Sequence, residues 1–198
     1  QAIAEAAQVI PIVFAPNMAV GVNAAGLTPG TYTGSVTFTS SEASNSPRSV
    51  AVTLNVFAAG GSGSPYGSFD LPAAGSMVSS SIAVTGWALD DIETAGVKIY
   101  RNPVGAEPAG ALVFIGDAVF VEGARPDVET ANPNAPLCSR AGWGYMLLTN
   151  FLPNGGNGSF TLSAKATDKE GHQVTLGSKT INCDNAHAVK PFGAIDLP

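Results

Sequence analysis

Tyr32-Thr33-Gly34-Ser35-Val36-Thr37-Phe38-Thr39 and Val50-Ala51-Val52-Thr53-Leu54-Asn55-Val56 are the stretches on which the fold class turns. In the first, Tyr32, Gly34, Val36 and Phe38 alternate with hydroxyl residues; in the second, Val50, Val52, Leu54 and Val56 alternate with Ala51, Thr53 and Asn55. A return every second residue places one set on one face of an extended chain, so both stretches read as half-buried strands. Leu27-Thr28-Pro29-Gly30 is a turn feeding the first strand, and the polar residues 41–47 form the turn between the two. Antiparallel pairing is the simplest consequence.

Working outward, the same logic repeats downstream. Ile82, Val84 and Gly86 alternate into Trp87, and further strand-like runs cover residues 97–100, 112–119, 160–167 and 173–176, each bounded by Gly, Pro, Asn or Asp. No stretch sustains helical spacing, although residues 126–131 suit a turn of helix. Many short strands separated by turn signals predict an all-β sandwich. The region between residues 122 and 158 shows no clear strand and is expected to hold a loop insertion.

Composition agrees. The 198-residue chain is 45% hydrophobic, with 23 Gly, 14 Pro and only 12% charged residues, which suits turns and strands around a real core. A net charge of −6 with nine scattered Lys and Arg leaves no basic stripe for nucleic acid. The longest apolar run, residues 9–15, is far short of the ~20 residues that cross a bilayer as a helix. The chain begins at Gln1 without Met or a leader, which reads as a processed or excised segment.

Pro65-Tyr66-Gly67-Ser68-Phe69-Asp70-Leu71-Pro72 returns as Pro191-Phe192-Gly193-Ala194-Ile195-Asp196-Leu197-Pro198, five of eight positions identical at an offset of 126 residues. A domain-sized offset marks a repeat. The expected organisation is a β domain over 1–57, a Gly/Ser linker over 58–64, a complete repeat over 65–190, and the start of another at 191–198.

Residues 23–38 with Asn45-Ser46-Pro47 and residues 50–56 carry a resemblance, over residues 18–57, to the C-terminal half of a BACON-type bacterial domain. Val84-Thr85-Gly86-Trp87-Ala88-Leu89-Asp90, Ala124-Arg125-Pro126-Asp127-Val128 and residues 164–172 resemble the immunoglobulin-like repeats of large exported bacterial proteins. These resemblances imply two immunoglobulin-like antiparallel β-sandwich domains in tandem, the second enlarged by the insertion, in a secreted or cell-surface protein of a bacterium. Such modules extend and display, and do not catalyse; carbohydrate binding has been proposed for the BACON family.

Candidate sites follow from residue chemistry. Asp90, Asp91, Asp168, Glu170 and Asp184 offer oxygens to Ca2+, set against the commoner use of Asp in turns. Trp143 and Tyr145, spaced by glycines in Arg140-Ala141-Gly142-Trp143-Gly144-Tyr145, are candidates for glycan contact from a loop, whereas Trp87 reads as core. Cys138 and Cys183 fit one disulfide, worth on the order of 3 to 4 kcal/mol, or two separate thiols. Val9, Ile10, Ile12, Val13 and Phe14 form an apolar strand, either an ordinary one or one donated to the sheet of a neighbouring subunit. Two histidines and no nucleophile motif give no catalytic constellation, and no cofactor is implied. The expected function is a structural or adhesive spacer whose partner is itself or an extracellular polysaccharide. The alternative is a carbohydrate-binding module attached to a secreted enzyme.

Overall fold

A computed structural model of the protein describes residues 23–188. The chain is mostly β, 49% strand and 10% helix, and divides into two compact units, Gln1–Gly61 and Ser62–Pro198.

The described part of the first unit is an antiparallel ribbon of β1 (Gly30–Phe38) and β2 (Arg48–Val56), in register from Gly30↔Val56 to Phe38↔Arg48. The alternation in sequence is the alternation in space. Tyr32, Val36, Phe38, Val52, Leu54 and Val56 are half-buried, while Thr31 bonds Asn55 and Thr37 bonds Ser49 on the other face.

The second unit contains β3 (Tyr66–Leu71), β4 (Met77–Val78), β5 (Ser81–Leu89), β6 (Thr94–Arg101), β7 (Val113–Phe120), helix α1 (Pro126–Ala131), β8 (Gly142–Leu148), β9 (Asn157–Asp168) and β10 (Gln173–Asp184). Strand order is β3-β5-β8-β7-β6-β9-β10-β4, antiparallel throughout except for the short β10–β4 pair. The sheet doubles over at β7, so the architecture is sandwich-like. Phe69, Val84, Trp143 and Leu147 from one half meet Val97, Ile99, Phe160, Leu162, Ala164, Ala166 and Ile181 from the other in a single buried cluster. Inward residues of β9 fall at every second position, 160 through 168, as period two requires.

Gly86 sits between Phe69 and Trp143 on neighbouring strands. A Cβ there would fall 2.0 Å from the Ser68 carbonyl oxygen and 2.4 Å from Trp143 Cζ2, so the indole occupies the space a β5 side chain would need.

The expected insertion is shorter than the sequence suggests. Residues 142–148 are strand β8, a central strand; residues 121–141 lie outside the sheet, as α1 and a 3-10 turn at Cys138–Arg140, and so do residues 149–156, as the short helical turns Thr149–Phe151 and Pro153–Gly156. Pro126 at the first helical position pre-sets the backbone angle, and Val128 anchors the helix in a second buried cluster with Leu89 and Ala141.

Candidate functional site

Strand β7 changes partners partway along its length. Residues 113–118 pair with β6, and then Val119 and Phe120 pair with Gly144 and Trp143 of β8. The Val121 N–H continues this ladder to the Gly142 oxygen at 2.9 Å. On the other flank of β8, Ala141 O accepts from Ala88 N–H and Thr149 N–H donates to Ser80 O, so odd-numbered residues direct their backbone groups toward β5. Even-numbered residues therefore face β7. Beyond Gly144, the β7–β8 register ends: Met146 and Leu148 pair with Ala83 and Ser81 of β5 but with no residue of β7. That is a free strand edge next to the core.

The splayed strands enclose a slot of about 390 Å³, walled by Phe114 and Ile115 of β7, Met146 and Leu148 of β8, and Phe151 and Leu152 of the following turn. Phe151 is 78% exposed, Met146 63% and Phe114 49%, an apolar lining left open to water. The one charge at its wall, Arg101, is buried and already neutralised by a bidentate pair with Glu107 at 2.5 and 2.6 Å. The guanidinium and the Val104 N–H hold the Glu107 carboxyl down to about 2. The slot thus offers backbone hydrogen bonds and an apolar floor, and no reactive group.

The aromatic residues are arranged differently from the expectation. Trp143 and Tyr145 lie on β8, not on a loop. Trp143 is 2% exposed in the core, its ring 6.0 Å from that of Phe69, so it presents no face to a sugar. Tyr145 is half-buried, its ring pressed against the Gly116 backbone, where an added Cβ would lie 2.5 Å away. Trp87, expected in the core, points the other way and meets Tyr66 edge-on at 6.0 Å.

The carboxylates sort into three places. The β5–β6 turn and the β9–β10 turn lie side by side, bridged by Lys169 N–H to Glu93 O at 3.1 Å. This brings together Asp90, Asp168 and Glu170, one oxygen of each within 4.8 Å of the others. Asp90 Oδ2 accepts from the N–H groups of Ile92 and Glu93 at 2.8 and 3.1 Å, the local turn role. Asp168 accepts from His172 N–H at 2.7 Å and contacts His172 Nδ1 at 2.8 Å. Burial pushes the Asp168 carboxyl up, but these hydrogen bonds outweigh it and hold it below the usual range. Asp91 is engaged elsewhere, accepting from Gly63 N–H at 2.8 Å, and Asp184 lies at the opposite end of the β9–β10 hairpin, beside His187.

The bridge between Cys138 and Cys183 is not formed; both are free thiols. Cys183 points into the main core and burial pushes its thiol up to about 11, while Cys138 packs against the separate cluster under α1. Residues Val9, Ile10, Ile12, Val13 and Phe14 lie outside the described residues. Among the described residues no helix is long and apolar enough to cross a membrane. No protein-family model matches the chain, and no curated protein matches it.

Proposed function

We propose that this chain is a non-catalytic structural module of an exported bacterial protein, built from immunoglobulin-like sandwiches, whose β7/β8 slot receives an extended segment, residues 9–14, from a second copy. The observation that carries this reading is the free edge of β8 beside an open apolar slot. Strand addition supplies what that edge lacks: main-chain partners on the β7 side of Met146 and Leu148, and side chains to cover Phe114 and Phe151.

The choice of occupant rests on the chain itself. Residues 6–22 contain no charged side chain, and Val9, Ile10, Ile12, Val13 and Phe14 are apolar, matching an uncharged slot. Six extended residues span about 20 Å, enough to run the length of the unpaired β8 segment and beyond. Pro11 lacks an N–H, which an added edge strand tolerates because one side of it faces solvent. Covering Phe114, Met146 and Phe151 contributes on the order of 3–5 kcal/mol before association costs. Export and surface display rest on the resemblance to repeat modules and on the low charge content.

Light scattering and negative-stain microscopy test the reading on the full chain, on Ile12→Asp and on Met146→Asp. Oligomers or filaments in the parent that dissolve in both variants support it. A monodisperse monomer in all three sinks donation between copies. A monomer whose hydrodynamic size increases only in Ile12→Asp indicates that the segment folds back onto its own chain instead.

A further inference from the structure

Two carboxylates at the end of the second unit are buried together with one histidine, on Asp168, between them and no lysine or arginine. Asp90 and Asp168 are each 2% exposed, and one oxygen of each lies within 4.8 Å of the other and of a Glu170 oxygen. No lysine or arginine forms an ion pair with Asp90 or Asp168 among the described residues; Lys169, the nearest in sequence, is turned to Glu93 at 3.5 Å and is half-exposed. His172 Nδ1 contacts Asp168 Oδ2 at 2.8 Å and also feels the Glu170 charge, but it forms no ion pair with Asp90. Like charges so placed repel strongly in a medium that screens poorly, and native folds satisfy such groups with a counter-charge.

A second observation is independent of the clustering. Asp90 spends only Oδ2 on its turn; Oδ1 is buried and has no hydrogen-bond partner. The same is true of Thr94 Oγ1, four residues on in the same turn. Orphaned buried oxygens are rare in native proteins and mark a missing partner. Here the orphans are acceptors or can act as acceptors, open to a donor or a cation, and the clustered carboxylates beside them favour the cation.

We infer that Asp90, Asp168 and Glu170 form a site for a hard divalent cation of the calcium class. The ligand set is all oxygen, which excludes the soft metals that prefer thiolate or imidazole. Oxygens bound to one Ca2+ at about 2.3–2.6 Å lie within about 5 Å of one another, the spacing found here. Buried Asp90 and Asp168 form the floor, exposed Glu170 closes the site from solvent, and water completes the coordination. Because the ligands come from the β5–β6 and β9–β10 turns, the ion ties the two halves of the sandwich at one end. Gly63, just before β3, is bonded to Asp91 in the same turn, so the start of the unit is tied to the same point.

This assignment is independent of strand donation. The full chain, stripped with a chelator, is titrated calorimetrically with CaCl2 and, separately, MgCl2, and its thermal midpoint is read in each. Glu170→Gln removes an exposed ligand with no part in the turn, and Asp90→Asn keeps an acceptor for Ile92 and Glu93 while removing charge. The expected result is one calcium per chain with a dissociation constant of about 10⁻⁵ to 10⁻³ M, magnesium at least about tenfold weaker, and a calcium-dependent rise in the midpoint. Glu170→Gln weakens calcium about tenfold. Asp90→Asn loses the calcium response yet melts no lower than the parent in chelator, because it relieves the repulsion. A parent chain indifferent to both ions up to about 10 mM, or a calcium response unchanged in both variants, overturns the assignment.

Discussion

Replacing Gly86 by Ala adds one methyl group at the most crowded point of the second unit. The new Cβ would meet the Ser68 carbonyl oxygen at 2.0 Å and the Trp143 ring at 2.4 Å, both far inside van der Waals contact. Neither neighbour can yield easily. Ser68 is backbone of β3, held in the ladder opposite Trp87, and the indole is locked in the core beside Phe69. Overpacking of a core typically costs 1–3 kcal/mol, and two rigid clashes place this substitution at about 3 kcal/mol. With a urea dependence of about 1.5–2 kcal/mol per molar for a domain of this size, the midpoint falls by about 1.5–2 M. Gly96→Ala is the internal control: no atom lies within 4 Å of its Cβ and its backbone is not left-handed, so it should change stability by no more than about 0.5 kcal/mol. Tryptophan fluorescence in a urea titration reads the result without interference, because both tryptophans, Trp87 and Trp143, lie in the second unit. If Gly86→Ala unfolds within 0.3 M or so of Gly96→Ala, the packing argument for the core is wrong.

Other outcomes are open to direct measurement. Glu107 has a folded-state pKa of about 2, below its unfolded value, so its pair with Arg101 stabilises fully above pH ~4.5 and that contribution is lost as pH falls towards 2. Glu107→Gln should flatten the thermal midpoint against pH over that window, and a variant that tracks the parent in parallel would show the pair contributes nothing. Ellman's reagent on unreduced protein should find Cys138 accessible and Cys183 only after unfolding, two thiols in all; no thiols in denaturant would mean the cysteines are bridged after all. Phe151→Ser should leave the stability read from urea unfolding within about 0.5 kcal/mol of the parent, since the ring is 78% exposed, while weakening any self-association measured by light scattering. A loss of stability instead would mean that Phe151 belongs to the core.

The strands legible in the sequence are those with one wet face. β5 and β9 alternate because one side meets the core and the other meets water or polar residues; β1 and β2 alternate between half-buried apolar positions and exposed hydroxyl and amide ones. β8 is hidden because none of its outward positions is polar: they are Gly142, Gly144, Met146 and Leu148. A Cβ on Gly142 would lie 2.9 Å from Ala124 Cβ and 3.0 Å from Arg125 Cγ, so the insertion packs onto that face and only glycine fits. With glycine or an apolar residue at each outward position, period two disappears. Trp87 and Trp143 were assigned to opposite environments for the same reason: α1 and its turn cover the outer face near Trp87, which local alternation cannot report. The slot has no local signature at all. It exists because β7 changes partners, a relation between residues well separated in sequence that no local window reports. The acidic site was half visible: the Asp residues were evident, but that Asp90 and Asp168 converge while Asp91 and Asp184 do not is set by which hairpin ends lie together.

Asn185 bears on how the unit responds to pulling. Its side chain accepts from Ser80 N–H and Thr149 Oγ1 and donates to the Gly155 and Gly156 oxygens, at 2.8 to 3.3 Å, just past the end of β10. The chain comes in at the opposite end, where Tyr66 pairs with Leu89, so tension applied across the unit acts along strands about 40 Å long in the β9–β10 hairpin. Ladder hydrogen bonds perpendicular to that direction are loaded together in shear and cannot be unzipped one at a time. Asn185 works as a rivet at the trailing end: its bonds to the β4–β5 and β8–β9 connections must all fail before β10 can begin to slide.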